Sequence, residues 1–209
     1  MRAAVLRGGT VEARTLDDPV PGPGQLLVRS PACGICASDL HFMDHPEAGA
    51  DDDSGMSTYD QDVDIVMGHE YCAEVVDHGP RTERRIPVGA RVSSLPVPST
   101  AAGRRIIGQN PESPGGFGEY LLLTEAITRV VVSDSPARSS ASPTRSRWAG
   151  RPRHGPRSRP RRWRWSWAAV RGGLDVGPML GRTVGLDEVP DALDSARDAG
   201  EPARIIVVP

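Results

Sequence analysis

The stretch "CGICASDLH", residues 33–41, places two thiols, a serine, an aspartate and a histidine within nine residues. Two chemistries are open to it. Cys33-x-x-Cys36 has the spacing of a disulfide-exchange pair, a chemistry that wants a helix N-terminus following a strand in a βαβ unit. A metal site is the alternative, and it needs a second cluster of ligands. One exists in "MGHEYC", residues 67–72. Catalytic zinc takes about three protein ligands and keeps one position open. Cys36 and His69 offer a thiolate and an imidazole from separate segments, so such a site would form in the tertiary fold and would not be a zinc finger. Ser38, Asp39 and His41 lie close to Cys36 in sequence, where ligand-orienting and proton-relay groups are useful.

The elements that must position these residues are short and strand-like. Residues 25–30 (QLLVRS), 72–77 (CAEVVD), 90–95 (ARVSSL), 119–124 (EYLLLT) and 128–132 (TRVVV) read as strands, separated by the Gly and Pro turns "PVPGPG", "VG" and "SPGGFG". Such a pattern predicts a β barrel or sandwich. An acidic stretch, residues 44–64, interrupts it. Its Asp spacing faintly resembles a calcium loop, but the Gly and terminal Glu are misplaced, so a solvated surface insertion is expected. Near the C-terminus, "GLDEVPDALDSARDAGEPARIIVVP" reads as a helix and then a strand. Asp187 is the expected N-cap, Pro190 falls in the first turn, Val189, Leu193 and Ala196 share a face, and Gly200 ends the helix. Residues 204–208 then form a buried strand.

Composition bounds the rest. At 209 residues the chain can hold one good-sized domain or two small ones, and an aromatic content of 4% is low for a well-filled core. The 25 basic residues are all Arg. No physical pressure strips every Lys from a surface, so this reflects a GC-rich gene. Three cysteines make no disulfide framework, and reduced thiols in a cytoplasmic protein are expected. No secretory signal or membrane span is predicted.

Residues 136–167 differ in kind, with ten Arg, six Ser, five Pro and all four Trp, and no acidic residue. Without Leu, Ile, Val, Met or Phe the stretch can build no core. The rest of the chain has fifteen Arg against 27 acidic residues. Two readings stay open. One is a basic arm, with Arg for phosphates and Trp for bases or a membrane interface. The other is out-of-frame translation of GC-rich DNA.

Taken together, "PGPGQLLVRSPACGICASDLH", "VMGHE", "VGARVSSLPV" and "PGGFGEYLLLTEA" resemble the catalytic domain of zinc-dependent medium-chain alcohol and polyol dehydrogenases. The last 25 or so residues resemble that family's C-terminal return to the catalytic domain. The resemblance implies a mainly β (α+β) fold, a GroES-like barrel with a C-terminal helix and strand. It implies one catalytic zinc held by Cys36, His69 and Glu70, with Glu70 the acid beside the metal. Ser38 would hand on the substrate proton, His41 would be the outer relay group, and Asp39 would orient the metal-binding imidazole. Cys33 becomes a packing residue, Cys72 a buried strand thiol, and His45, His78 and His154 are expected to be exposed.

Two parts of the family pattern are missing. Residues 94–116 contain no cysteine, so no structural zinc is expected. A dinucleotide site needs G-x-G-x-x-G between a strand and a helix. Gly22-x-Gly24 is followed by Leu27, and Gly116-x-Gly118 by Leu121, so neither fits. Nor does the chain show a counterpart of the family's further zinc contributor beyond the barrel. The expected organisation is a zinc catalytic domain over 1–132, the Arg/Trp-rich segment replacing the cofactor domain over 133–169, and the C-terminal return over 170–209, with no intact Rossmann domain. The reading is a truncated alcohol or polyol dehydrogenase with impaired NAD(P)-linked oxidation. Its partner is a small alcohol or polyol, and nucleic acid is not expected. A basic-arm binding protein and a non-functional remnant remain the alternatives.

Overall fold

The computed structural model describes residues 1–45, 60–131, 180–197 and 204–209. Expectations for the rest of the acidic stretch, the Arg/Trp-rich segment, His154 and Gly200 lie outside these residues.

The chain opens with a hairpin, β1 (Arg2–Arg7) and β2 (Thr10–Thr15). Gly8 and Gly9 form its two-residue turn with φ of 57° and 78°, the left-handed pair that a tight turn between twisted strands requires. Then come β3 (Gln25–Gly34), α1 (Ala37–Asp44), β4 (Ile65–Val66), β5 (Glu70–His78), β6 (Arg91–Ser94), β7 (Ser99–Thr100), β8 (Gly103–Arg104), β9 (Tyr120–Thr124) and β10 (Thr128–Val130). The C-terminal part adds β11 (Leu180–Val184), α2 (Val189–Arg197) and β12 (Arg204–Val207).

Among the described residues the strands form three sheets: β2-β1-β4, the small β7-β8 pair, and a large sheet ordered β10-β6-β5-β3-β12-β11, with β9 also paired to β3. None closes on itself. The strand-rich architecture, with two α-helices among the described residues, matches the expected class, and the one parallel pair among those residues is β11 with β12. No described helix is long and apolar enough to cross a membrane.

β3 organises the large sheet. It pairs with β5 from Leu26 to Arg29 and again from Ala32 to Gly34. On its other side β9 pairs with residues 25–29, and β12 takes over at Cys33 and Gly34. The change happens at Pro31, which has no N–H to donate, and the β3–β5 register shifts between Arg29 and Ala32. Strand pairing resumes beyond it, so β3 runs four residues past Ser30, where the sequence pattern placed its end. The strand thereby delivers Cys33 and Gly34 to the place where β5 begins.

The core under this sheet is mostly aliphatic, with Leu6, Leu26, Val28, Ile65, Met67, Leu121 and Leu123 buried alongside the aromatic Phe117. At roughly 25 cal/mol per Å² of apolar surface, burying each such side chain is worth about 1.5–3 kcal/mol. Val189 and Leu193 of α2 are buried and Ala196 packs against the same cluster, as the sequence pattern predicts.

The entry to α2 differs from the predicted one. A 3-10 turn, Leu186–Glu188, precedes the helix, and the Glu188 carboxylate accepts the Gly185 N–H at 2.8 Å. Asp187 is not the N-cap. Its carboxylate pairs with Arg2 at 2.8 Å, because the turn points it outward toward β1.

Candidate metal centre

The loop between β3 and α1 is where the chemistry gathers. Cys36 is the residue before α1, with extended backbone angles, and its N–H donates to the Asp39 carboxylate at 2.9 Å. That bond satisfies a polar group at the helix start and fixes the first turn. The other Asp39 oxygen lies 3.2 Å from His69 Nδ1. One buried carboxylate thus ties the Cys36 loop to the His69 loop. A ring nitrogen held by an acid turns the second nitrogen toward whatever the imidazole binds. Ser38 Oγ donates to Cys36 Sγ at 3.1 Å and lies 3.1 Å from His69 Nε2.

His69 sits between β4 and β5 on a turn that needs glycine. Gly68 has a φ of 94°, and a Cβ there would stand 2.6 Å from Phe117 Cδ1 and 2.9 Å from Cys33 Sγ. The segment 115–117 runs alongside and donates three backbone bonds to Val66, Gly68 and Met67 carbonyls at 2.7–3.0 Å. His69 is therefore placed by close backbone packing on one side and Asp39 on the other. The Gly115-Gly116 pair, read from sequence only as a turn, is what allows this approach.

Glu70 opens β5 and is 3% exposed. Its carboxylate forms an ion pair with Arg204 at the head of β12. Gly34 leaves room for it, since a Cβ there would meet Glu70 Oε2 at 3.1 Å. Arg204 is the site residue that the sequence did not indicate. No local motif marks it, and only the β3–β12 pairing brings it here.

Cys36, His69 and Glu70 each offer one ligand atom, and these atoms all lie within 4.8 Å of one another. No other group of three such residues gathers among the described residues. A thiol, an imidazole and a carboxylate form a donor set suited to zinc, so the residues present fit the metal. Cys33 stands apart. It is fully buried against Gly68 and Gly116. Burial, then the charges of Asp39 and Cys36, push its thiol well above the ordinary range. All three cysteines are free, and Cys72 is buried within β5. His41 and His45 are exposed, His41 a turn along α1 from Ser38. His78, expected to be exposed, is instead half-buried, with Nε2 2.8 Å from the Ile86 carbonyl oxygen. The β5–β6 connection folds back over it.

Electrostatics sharpen the centre. Burial pushes the Cys36 thiol up, but hydrogen bonds with His69 and Ser38 outweigh it and the net shift is downward. Burial lowers His69, while hydrogen bonds and charges from Asp39 and Cys36 outweigh that and raise it to about 10. Without metal, His69 is an imidazolium at neutral pH, beside a Cys36 thiol whose acidity the same contacts increase. A metal needs the neutral imidazole, so seating it must expel the His69 proton. Below about pH 10, the apparent zinc affinity should therefore rise at least about tenfold per pH unit, with at least one proton released per metal. Calorimetry in buffers of different ionisation enthalpy counts that proton, and an affinity flat between about pH 6 and pH 8 would contradict the arrangement.

Residues 22–133 match the alcohol dehydrogenase GroES-like domain. An uncharacterised zinc-type alcohol dehydrogenase-like protein of Escherichia coli K12 is 30% identical over 141 residues, covering 60% of this chain and 38% of that protein. An L-threonine 3-dehydrogenase of Deinococcus radiodurans is 34% identical over 116 residues, covering 50% of this chain and 31% of that one. The chain thus spans well under half the length of these relatives. Among solved structures, a candidate zinc-binding dehydrogenase of Sinorhizobium meliloti 1021 bound to NADP shares the fold at a TM-score of 0.70 and 18% identity, over 100% of this chain and 99% of that one.

Proposed function

Since the chain belongs to the alcohol dehydrogenase GroES-like domain family, we propose that Cys36, His69 and Glu70 hold one catalytic zinc for the oxidation of a small alcohol or polyol. The observation that carries this reading is the convergence of the three donor atoms within 4.8 Å, with an Asp39 carboxylate oxygen 3.2 Å from the far nitrogen of the imidazole. Zinc, when bound, supplies a Lewis acid that makes an alcohol oxygen more acidic.

The chain's own residues do the rest. Cys36 and His69 bind as thiolate and neutral imidazole. Asp39 orients the imidazole through Nδ1 and keeps it from turning. Ser38 Oγ, in reach of both Cys36 and His69, is placed to take a proton from a substrate hydroxyl at the centre. His41 passes the proton on to water from its exposed place on α1. Arg204 balances the Glu70 charge at the back of the site.

Hydride acceptance by NAD(P) belongs to the family reaction. In this sequence no G-x-G-x-x-G falls between a strand and a helix, which supports impaired turnover by the chain alone. The proposed organisation keeps the zinc domain in 1–132 and the return in 170–209, with 133–169 in place of a cofactor domain. Exposed to zinc and desalted, the purified chain should retain about one metal per molecule and show little alcohol-dependent reduction of NAD(P). Failure to retain zinc would sink the metal reading. Saturable NAD(P) binding with ordinary turnover would sink the impairment.

A further inference from the structure

The end of the large sheet remote from the metal centre has a character of its own. β5 starts at Glu70 beside the centre and ends at His78, and β3 runs the opposite way beside it. At about 3.3 Å per residue the two ends stand on the order of 25 Å apart. The connection that follows β5 is tied down there. Gly24 donates to the Pro80 carbonyl at 2.7 Å, and Gly79 to the Gln25 carbonyl at 2.8 Å. A Cβ on Gly79 would stand 2.2 Å from the Gly22 carbonyl oxygen, so the turn before β3 lies directly against the connection. Further along, the buried Glu125 carboxylate accepts the Glu83 N–H at 2.6 Å and the Arg85 N–H at 2.9 Å.

These bonds bracket Arg81 and Arg84, whose φ values are 58° and 53°. A left-handed backbone at residues with side chains persists only where the surroundings over-determine it. Both side chains are exposed, and neither has a hydrogen-bond or ion-pair partner among the described residues. Glu83 is already paired with Arg85. Beside these cations stand the two most exposed large apolar side chains among the described residues. Val20, in the turn before β3, is 84% exposed, and Val88, in the connection itself, is 62% exposed. Projecting aliphatic side chains next to unpaired guanidinium groups suit a surface that offers negative charge over an apolar layer. A nucleic acid offers phosphates but no apolar layer for the valines, and a free phosphate makes no use of them.

We propose that this end of the large sheet docks on an anionic lipid bilayer, with Arg81 and Arg84 at the headgroups and Val20 and Val88 entering the interface. Docked in this way, the chain holds its metal centre at the end away from the lipid. The docking surface does not depend on zinc being bound.

Hydrogen exchange in the zinc-loaded full chain tests this, with vesicles of phosphatidylcholine alone or with about a third phosphatidylglycerol. Only the anionic vesicles should slow amide exchange in residues 20–24 and 79–89. Arg81→Gln combined with Arg84→Gln should weaken vesicle binding about 25-fold, roughly fivefold for each cation held near an anionic surface. Val20→Ser combined with Val88→Ser should weaken binding on its own and leave its dependence on salt. Arg29→Gln, which removes a cation already paired with Glu74, should bind as the parent does. Residues 136–167, with ten Arg and all four Trp, are themselves a candidate for anionic lipid, so protection is read residue by residue. Unchanged affinity in the double arginine variant would overturn the proposal. So would protection confined to residues 136–167, or equal protection of residues 79–89 by inorganic phosphate or duplex DNA.

Discussion

Cys36→Ser and His69→Ala chains should each emerge from zinc exposure and desalting with almost no metal. A complete zinc site in a small domain is worth about 10–16 kcal/mol. Spread over its ligands, that puts roughly 3 kcal/mol or more on each, a loss of at least about 100-fold in affinity. The serine variant is the stricter test. Serine is a better helix N-cap than cysteine, and its N–H can keep the bond that Cys36 gives Asp39. Loss of zinc in Cys36→Ser therefore cannot be assigned to a frayed α1, and an unchanged thermal midpoint without zinc would show as much. Asp39→Asn should be milder, about 10–100-fold, because it removes the charge that holds His69 Nδ1 but no ligand. Retention of one zinc by both Cys36→Ser and His69→Ala would move the metal elsewhere in the chain.

Why the centre could be read from sequence, while much of its frame could not, follows from locality. Cys36, Ser38 and Asp39 fall within one turn of chain, and His69 and Glu70 are neighbours, so the two halves are visible as motifs. α1 carries no helical stripe, since its buried residues are Asp39 and Phe42, and periodicity has nothing to detect. The β1–β2 hairpin was signalled by Gly8-Gly9 between apolar runs, a cue the strand pattern passed over. The continuation of β3 through Pro31 depends on a register shift against β5. Arg204 is a still stronger case. Its place beside Glu70 comes from a chain separation of 134 residues and from β12 pairing with the end of β3. The three glycines that clamp His69, Gly68, Gly115 and Gly116, announce turns in sequence but not which backbones they bring together.

Arg204→Ala should destabilise the metal-free chain by about 3 kcal/mol, the lower part of the range for breaking a buried ion pair. The Glu70 side chain is 3% exposed and Arg204 34%. Removing the arginine leaves a buried carboxylate with no cation, while the partial exposure of the arginine side lets water relieve some of the penalty. Glu70→Gln with Arg204→Ala should recover much of the loss, because no buried charge is then left unpaired.

Zinc makes the same variant informative about ligation. If Glu70 binds the metal, the zinc-loaded Arg204→Ala chain keeps a cation for the carboxylate, so its destabilisation should be clearly smaller than in the metal-free form. By linkage, Arg204→Ala should then bind zinc more tightly than the parent chain, since metal and guanidinium compete to neutralise one carboxylate. Chemical denaturation with and without zinc measures both halves of this cycle. Equal destabilisation of the two forms, with zinc affinity unchanged, would remove Glu70 from the ligand set and leave it as the partner of the C-terminal strand alone.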